Sequence, residues 1–132
     1  MIRIESLEYS YPDGTKALKG IHMDLDRGNI IGIIGANGSG KSTLFLSILG
    51  VLKPSKGSVK YRGDILKYGK KDLREYRKEV TMVFQDPEKQ LFYSRVYDDV
   101  AFTLRNLGLN EEEIEARVEK SLERVGALDL RD

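Results

Sequence analysis

Hydrophobic and polar positions change period several times along the chain. Ile2, Ile4, Leu7, Tyr9 and Tyr11 keep strand-like spacing that slips once, at Glu5 and Ser6, before PDGT supplies a turn. Ile21, Met23 and Leu25 then alternate with His22, Asp24 and Asp26 up to Arg27 and Gly28. That is the period-two pattern of a half-buried antiparallel strand, so residues 1–28 predict a β layer. Residues 30–34, IIGII, form instead a continuous apolar run, as expected of a parallel strand buried on both faces, and VTMVF at 80–84 is a second such run. Leu44, Phe45, Ile48, Leu49 and Leu52 make a helical stripe that Pro54 must end. GSVKYRGDIL reads as a short strand and turn, and residues 70–78 as a charged helix. Val96, Val100, Leu104 and Leu107 share one face of a helix over 97–107. Ile114, Val118, Leu122 and Val125 do the same over 111–125, with Asn110 as candidate N-cap and Glu111, Glu112 and Glu113 suited to the positive helix start.

Composition narrows this picture. A chain of 132 residues is one ordinary domain long, and 40% hydrophobic with 33% charged residues predicts a folded rather than a disordered chain. Basic residues number 22 and acidic residues 21, a balance that argues against a global field for nucleic acid or membrane. No stretch approaches the roughly 20 apolar residues of a bilayer span, and the start, MIRIESLEYSYPDG, lacks a secretory-signal pattern. Cysteine is absent, which removes disulfides and thiolate metal sites. The expected location is cytoplasmic.

Chemistry concentrates at GANGSGKST, residues 35–43, placed between an apolar run and a helical stripe. Residues 35–42 match GxxxxGK[ST]. Gly35, Gly38 and Gly40, with Asn37 and Ser39 between them, permit backbone angles that turn successive N–H groups inward as a nest for phosphate oxygens. Those donors run on into the exposed N–H groups of a helix starting near Lys41. Lys41 is expected at the β- and γ-phosphates of ATP, Ser42 on Mg²⁺, and Thr43 at the α-phosphate. Gln85 closes the run at 80–84, the strand end where open α/β sheets place ligands, although a plain loop glutamine is the alternative. His22, the only histidine, reads as a surface residue, and the basic stretch from Lys67 to Lys78 is interleaved with Asp72 and Glu75 as in a solvated helix.

The segment from YSYPDGTKALKG to LKPSKGSV, spanning the glycine loop, resembles the first half of an ATP-binding cassette (ABC) transporter ATPase, and MVFQDPEKQLF resembles that family's Q-loop. The wording after Gln85 is similar to the CbiO-type ATPases of energy-coupling-factor importers for cobalt, nickel or vitamins. The resemblance implies an α/β fold: a P-loop NTPase core with an N-terminal antiparallel β subdomain over residues 1–93, an incomplete sheet, and the start of a helical subdomain over 94–132. It implies that Tyr11 stacks on adenine, with Tyr9 a competitor for that role, and that Gln85 lies near Mg²⁺ and the attacking water. It implies a transmembrane transporter subunit as partner through residues 86–93, a second ABC ATPase subunit closing head to tail, and a place on the cytoplasmic face of the membrane. Leu91, Phe92 and Tyr93 are then either apolar anchors of that contact or a local satellite of the core.

Three parts of the family pattern are not found after Gln85: the LSGGQ-like signature, the Walker B strand with its catalytic glutamate, and the switch histidine. The expectation is therefore the N-terminal part of an ABC ATPase, active as a whole protein, with the 132 residues alone supplying mainly a phosphate cradle. Two other readings stay open. One is a soluble ABC-type ATPase acting on nucleic acid, against which the balanced charge speaks; the other is a nucleotide-binding module that does not hydrolyse.

Overall fold

A computed structural model describes all of residues 1–132 and divides the chain into two units, 1–82 and 83–132. In the first unit, β1 (Ile2–Ser10), β2 (Lys16–Leu25), β3 (Lys56–Tyr61) and β4 (Asp64–Ile65) form one antiparallel sheet in the order β2-β1-β3-β4. The alternation predicted in the first 28 residues is thus an antiparallel pair, with Ile2 opposite Leu25 and Ile4 opposite Met23. The slip at Glu5 and Ser6 is a bulge: pairing with both neighbours shifts there, and Ser6 takes a φ of 47°. On β3 the residue facing this bulge is Gly57, with φ 78°, where a Cβ would stand 2.2 Å from the Ser6 carbonyl oxygen and 2.3 Å from that of Glu5. Only a glycine lets the two backbones meet that closely.

Against the sheet lies α1 (Lys41–Ile48), whose Leu44 and Ile48 join Ile4, Leu7, Leu18, Val59, Leu66 and Tyr76 in the core. The helix stops well before Pro54, at a cap on Leu49. Gly50 turns the chain out of the helix, with φ 69° and the Val51 N–H returning to the Leu46 carbonyl at 2.9 Å, and α2 (Lys70–Tyr76) supports that end: the Tyr76 hydroxyl donates to the Ile48 carbonyl at 2.6 Å, and the guanidinium of Arg77, just after α2, donates to those of Leu49 and Gly50 at 3.2 and 2.9 Å. Side chains from a separate helix satisfy the carbonyls that another turn of α1 would have used.

Neither apolar run forms the parallel strand its composition predicts. Residues 30–34 and 80–84 join no sheet, and Ile30, Ile34 and Val83 are exposed, while Ile33 and Val80 pack at the margin of the core. A strand buried on both faces needs ladder neighbours and covering helices, and these segments have no ladder neighbour here.

The second unit contains a 3-10 turn at Pro87–Gln90, α3 (Val96–Leu107), α4 (Glu111–Arg124) and a further short turn at Leu128–Leu130. Asn110 caps α4 as predicted, its side-chain oxygen accepting the Glu113 N–H at 2.9 Å. Ile114, Val118 and Leu122 are buried, whereas Val125 falls on the cap and is exposed. On α3 the fully buried residue is Ala101 rather than any member of the predicted stripe; Val100 and Leu104 pack beside it, and Val96 is exposed. A small side chain at the contact lets the two helices approach closely.

Candidate functional site

The glycine-rich segment reaches the helix at Gly40, which has φ 93° and serves as the residue before α1. A Cβ at Gly40 would lie 2.6 Å from the Ala17 carbonyl oxygen of β2, so the loop is seated against the sheet at a point no side chain can occupy. No side chain caps α1, and its first helical bond runs from the Leu44 N–H to the Gly40 carbonyl at 2.8 Å. The N–H groups of Lys41, Ser42 and Thr43 therefore precede any intrahelical acceptor. With the partial positive charge of the helix end they form a ready anion site.

Lys41 folds back over this loop. Its ammonium donates to the carbonyls of Gly35 and Ala36 at 2.7 and 2.8 Å, and the Ser39 N–H donates to the Ala36 carbonyl at 3.2 Å. The cation is thereby held beside the loop rather than extended into solvent. Asn37, Gly38, Ser39 and Ser42 are exposed around it, while Thr43 is buried.

Tyr11 follows β1 directly and is brought to the same place. Its N–H donates to the Thr15 carbonyl and its carbonyl accepts from the Gly14 N–H, both at 2.9 Å, so the turn fixes its backbone. The ring meets Tyr9 edge-on, at 5.1 Å between centroids and 87° between planes, and the hydroxyl lies 2.9 Å from Thr43 Oγ1. Of the two tyrosines, Tyr11 is the one joined to the cradle. No local pattern marks that hydroxyl contact, or the Tyr76 and Arg77 capping of α1, because each joins residues about thirty positions apart.

Gln85 belongs to the second unit and is exposed. In that unit the N–H groups of Phe92 and Tyr93 donate to Asp99 Oδ1 at 2.9 and 3.3 Å, and both rings lean on Phe102 at about 6 Å between centroids. Leu91, Phe92 and Tyr93 nevertheless stay exposed. His22 lies on the surface of β2 beside Ser6 at the bulge. No helix is long and apolar enough to cross a membrane.

The residues at the cradle suit a nucleoside triphosphate. A bare backbone turn, an uncapped helix start and a folded-in ammonium all favour anionic oxygens. No cluster of three or more histidine, cysteine or acidic side chains exists to hold a metal ion by itself. The Ser42 hydroxyl fits a Mg²⁺ ion that is carried largely by phosphate oxygens and water.

Comparisons with known proteins point the same way. The sequence profile of the ABC transporter family matches residues 18–132. A putative ABC transporter ATP-binding protein of Listeria monocytogenes is 57% identical over 130 residues, covering 98% of this chain and 48% of that protein. The energy-coupling factor transporter ATP-binding protein EcfA of Methanothermobacter thermautotrophicus is 52% identical over 126 residues, covering 96% of this chain and 40% of that protein. Among solved structures, CbiO1 of Clostridium perfringens, described as part of the ABC transporter complex CbiONQ, superposes with a TM-score of 0.88 at 45% identity, covering 99% of this chain and 52% of its own. The chain thus spans about half the length of the relatives it matches. With a profile match running through most of its length and a fold shared with CbiO1, the chain belongs to the ABC transporter family, among its ATP-binding proteins.

Proposed function

We propose that this chain is the nucleotide-holding part of an ABC transporter ATP-binding subunit of the energy-coupling-factor kind, which uses ATP binding and hydrolysis to drive import of cobalt, nickel or a vitamin. The observation that carries the reading is the cradle itself: an uncapped helix start at Lys41 continuing a glycine loop, with the lysine ammonium folded onto the same loop. In this reading the loop N–H groups hold the triphosphate, and Lys41 exchanges its two carbonyl acceptors for β- and γ-phosphate oxygens. Thr43 meets the α-phosphate, Tyr11 faces the adenine, and Ser42 and Gln85 approach the Mg²⁺ ion. Held there, the ion would supply charge neutralisation for phosphoryl transfer.

The transport reading draws on the relatives, one named as an energy-coupling factor transporter protein and another as part of a transporter complex. A transmembrane subunit would dock on residues 86–93, where Leu91 and Phe92 are exposed, and a second ATPase subunit would close on the cradle. The protein would then work at the cytoplasmic face of the membrane.

Replacing Lys41 with alanine in the full-length protein tests the reading. ATP·Mg²⁺ binding, measured by calorimetry, is expected to weaken by at least about tenfold, the loss of one charged hydrogen-bonding partner or more, and transport-linked hydrolysis to disappear. Unchanged affinity and turnover in Lys41→Ala would remove the assignment.

A further inference from the structure

Thr43 stands in the first turn of α1, where the residue four positions back, Ser39, lies outside the helix. Serine and threonine inside helices commonly turn their hydroxyl back on a carbonyl one turn earlier, and Ser47 in α1 does so, donating to the Thr43 carbonyl at 2.8 Å. Thr43 Oγ1 instead meets the Tyr11 hydroxyl at 2.9 Å across 32 residues. Thr43 is 5% exposed, so water offers its hydroxyl little alternative. Tyr11 is held at both its backbone groups by the turn, and its ring meets Tyr9 edge-on.

We infer that Tyr11 is a positioning residue for the phosphate end of the cradle, acting through Thr43: its hydroxyl donates to Thr43 Oγ1 and leaves the threonine proton aimed at an α-phosphate oxygen. The inference rests on the nucleotide reading above and adds to it a role for the tyrosine hydroxyl that is independent of any stacking by the ring. The proton count requires this direction. A hydroxyl has one proton and two acceptor positions, and a phosphate oxygen without a proton can only accept. If Thr43 is to bond phosphate, its proton is used there, so Tyr11 must be the donor between the two hydroxyls. The resulting chain, Tyr11 to Thr43 to phosphate, has every member donating forward, the arrangement in which each bond polarises the next. Without the tyrosine hydroxyl, Thr43 Oγ1 loses the donor that leaves its own proton free for phosphate.

Ligands without a base separate this role from stacking. Calorimetry on the full chain would compare Mg²⁺-tripolyphosphate, which is long enough for all three phosphate positions, with Mg²⁺-pyrophosphate, which is expected to take the β and γ positions beside Lys41. Tyr11→Phe and Thr43→Val are each expected to weaken tripolyphosphate about fivefold, the worth of one hydrogen bond, and the double variant no further. Thr43→Ser, which keeps the hydroxyl, should stay close to the parent protein, and pyrophosphate should bind Tyr11→Phe as it binds the parent. Tripolyphosphate affinity unmoved by Tyr11→Phe, strictly additive losses in the double variant, or an equal loss for pyrophosphate would each overturn the inference while leaving the cradle assignment standing. A parent protein that binds neither ATP nor tripolyphosphate would overturn both.

Discussion

Tyr76 shows how a single buried hydroxyl supports the cradle from a distance. It donates to the Ile48 carbonyl at the end of α1, and burial pushes its pKa up to about 12, with the neighbouring tyrosines Tyr68 and Tyr61 adding to the rise. A pKa raised on folding favours the protonated form in the folded state, so the stabilisation is complete below the ordinary tyrosine value of about 10 and is lost as pH climbs towards 12. Denaturation at stepped alkaline pH is expected to show this extra loss in the parent protein and a flatter profile in Tyr76→Phe. Near neutral pH the same substitution should cost about 1 kcal/mol, because it leaves a carbonyl without its donor. A tyrosine in a charged helix announces nothing of this in sequence, since the partner carbonyl lies 28 positions away.

Whole elements were legible in proportion to how much of their stabilisation is local. Helix α4 could be read almost completely: Asn110, the three glutamates of its first turn, and the spacing of Ile114, Val118 and Leu122 all act within one segment. Asn110→Ala is expected to lower stability by about 1 kcal/mol in chemical denaturation, and Asn110→Ser to restore most of it. Helix α3 was legible in extent but not in face, because the close approach at Ala101 depends on α4 and not on its own hydrophobic stripe. The hairpin of β1 and β2 was visible in its alternation, and its slip at Glu5 and Ser6 falls where the structure has a bulge, without any sign of the glycine that accommodates it. Gly57→Ala should destabilise the first unit by roughly 1–3 kcal/mol, since a methyl group cannot enter against two carbonyl oxygens without moving a strand. A thermal midpoint equal to that of the parent would show that the strands separate at no cost.

At the scale of the molecule, residues 35–43 carried nearly all the functional signal, because a phosphate cradle is built from contiguous backbone and one lysine. What surrounds it was less legible: the runs at 30–34 and 80–84 have the composition of buried strands, yet burial of a strand requires neighbours that its own residues do not contain. The same distinction between a contiguous holding site and a dispersed reaction site governs activity. Hydrolysis needs an oriented water and a group to take its proton as well as a held phosphate. In a polypeptide of these 132 residues the proposed machinery is the cradle and Gln85, an amide that can orient water but cannot accept a proton at neutral pH. Such a polypeptide is expected to retain Mg²⁺-dependent ATP binding that Lys41→Ala weakens, while phosphate release stays at the background of the same variant. Turnover clearly above that background would mean that a general base lies within these residues. The acidic side chains of the second unit would then be the first to substitute, one at a time, under the same phosphate-release assay.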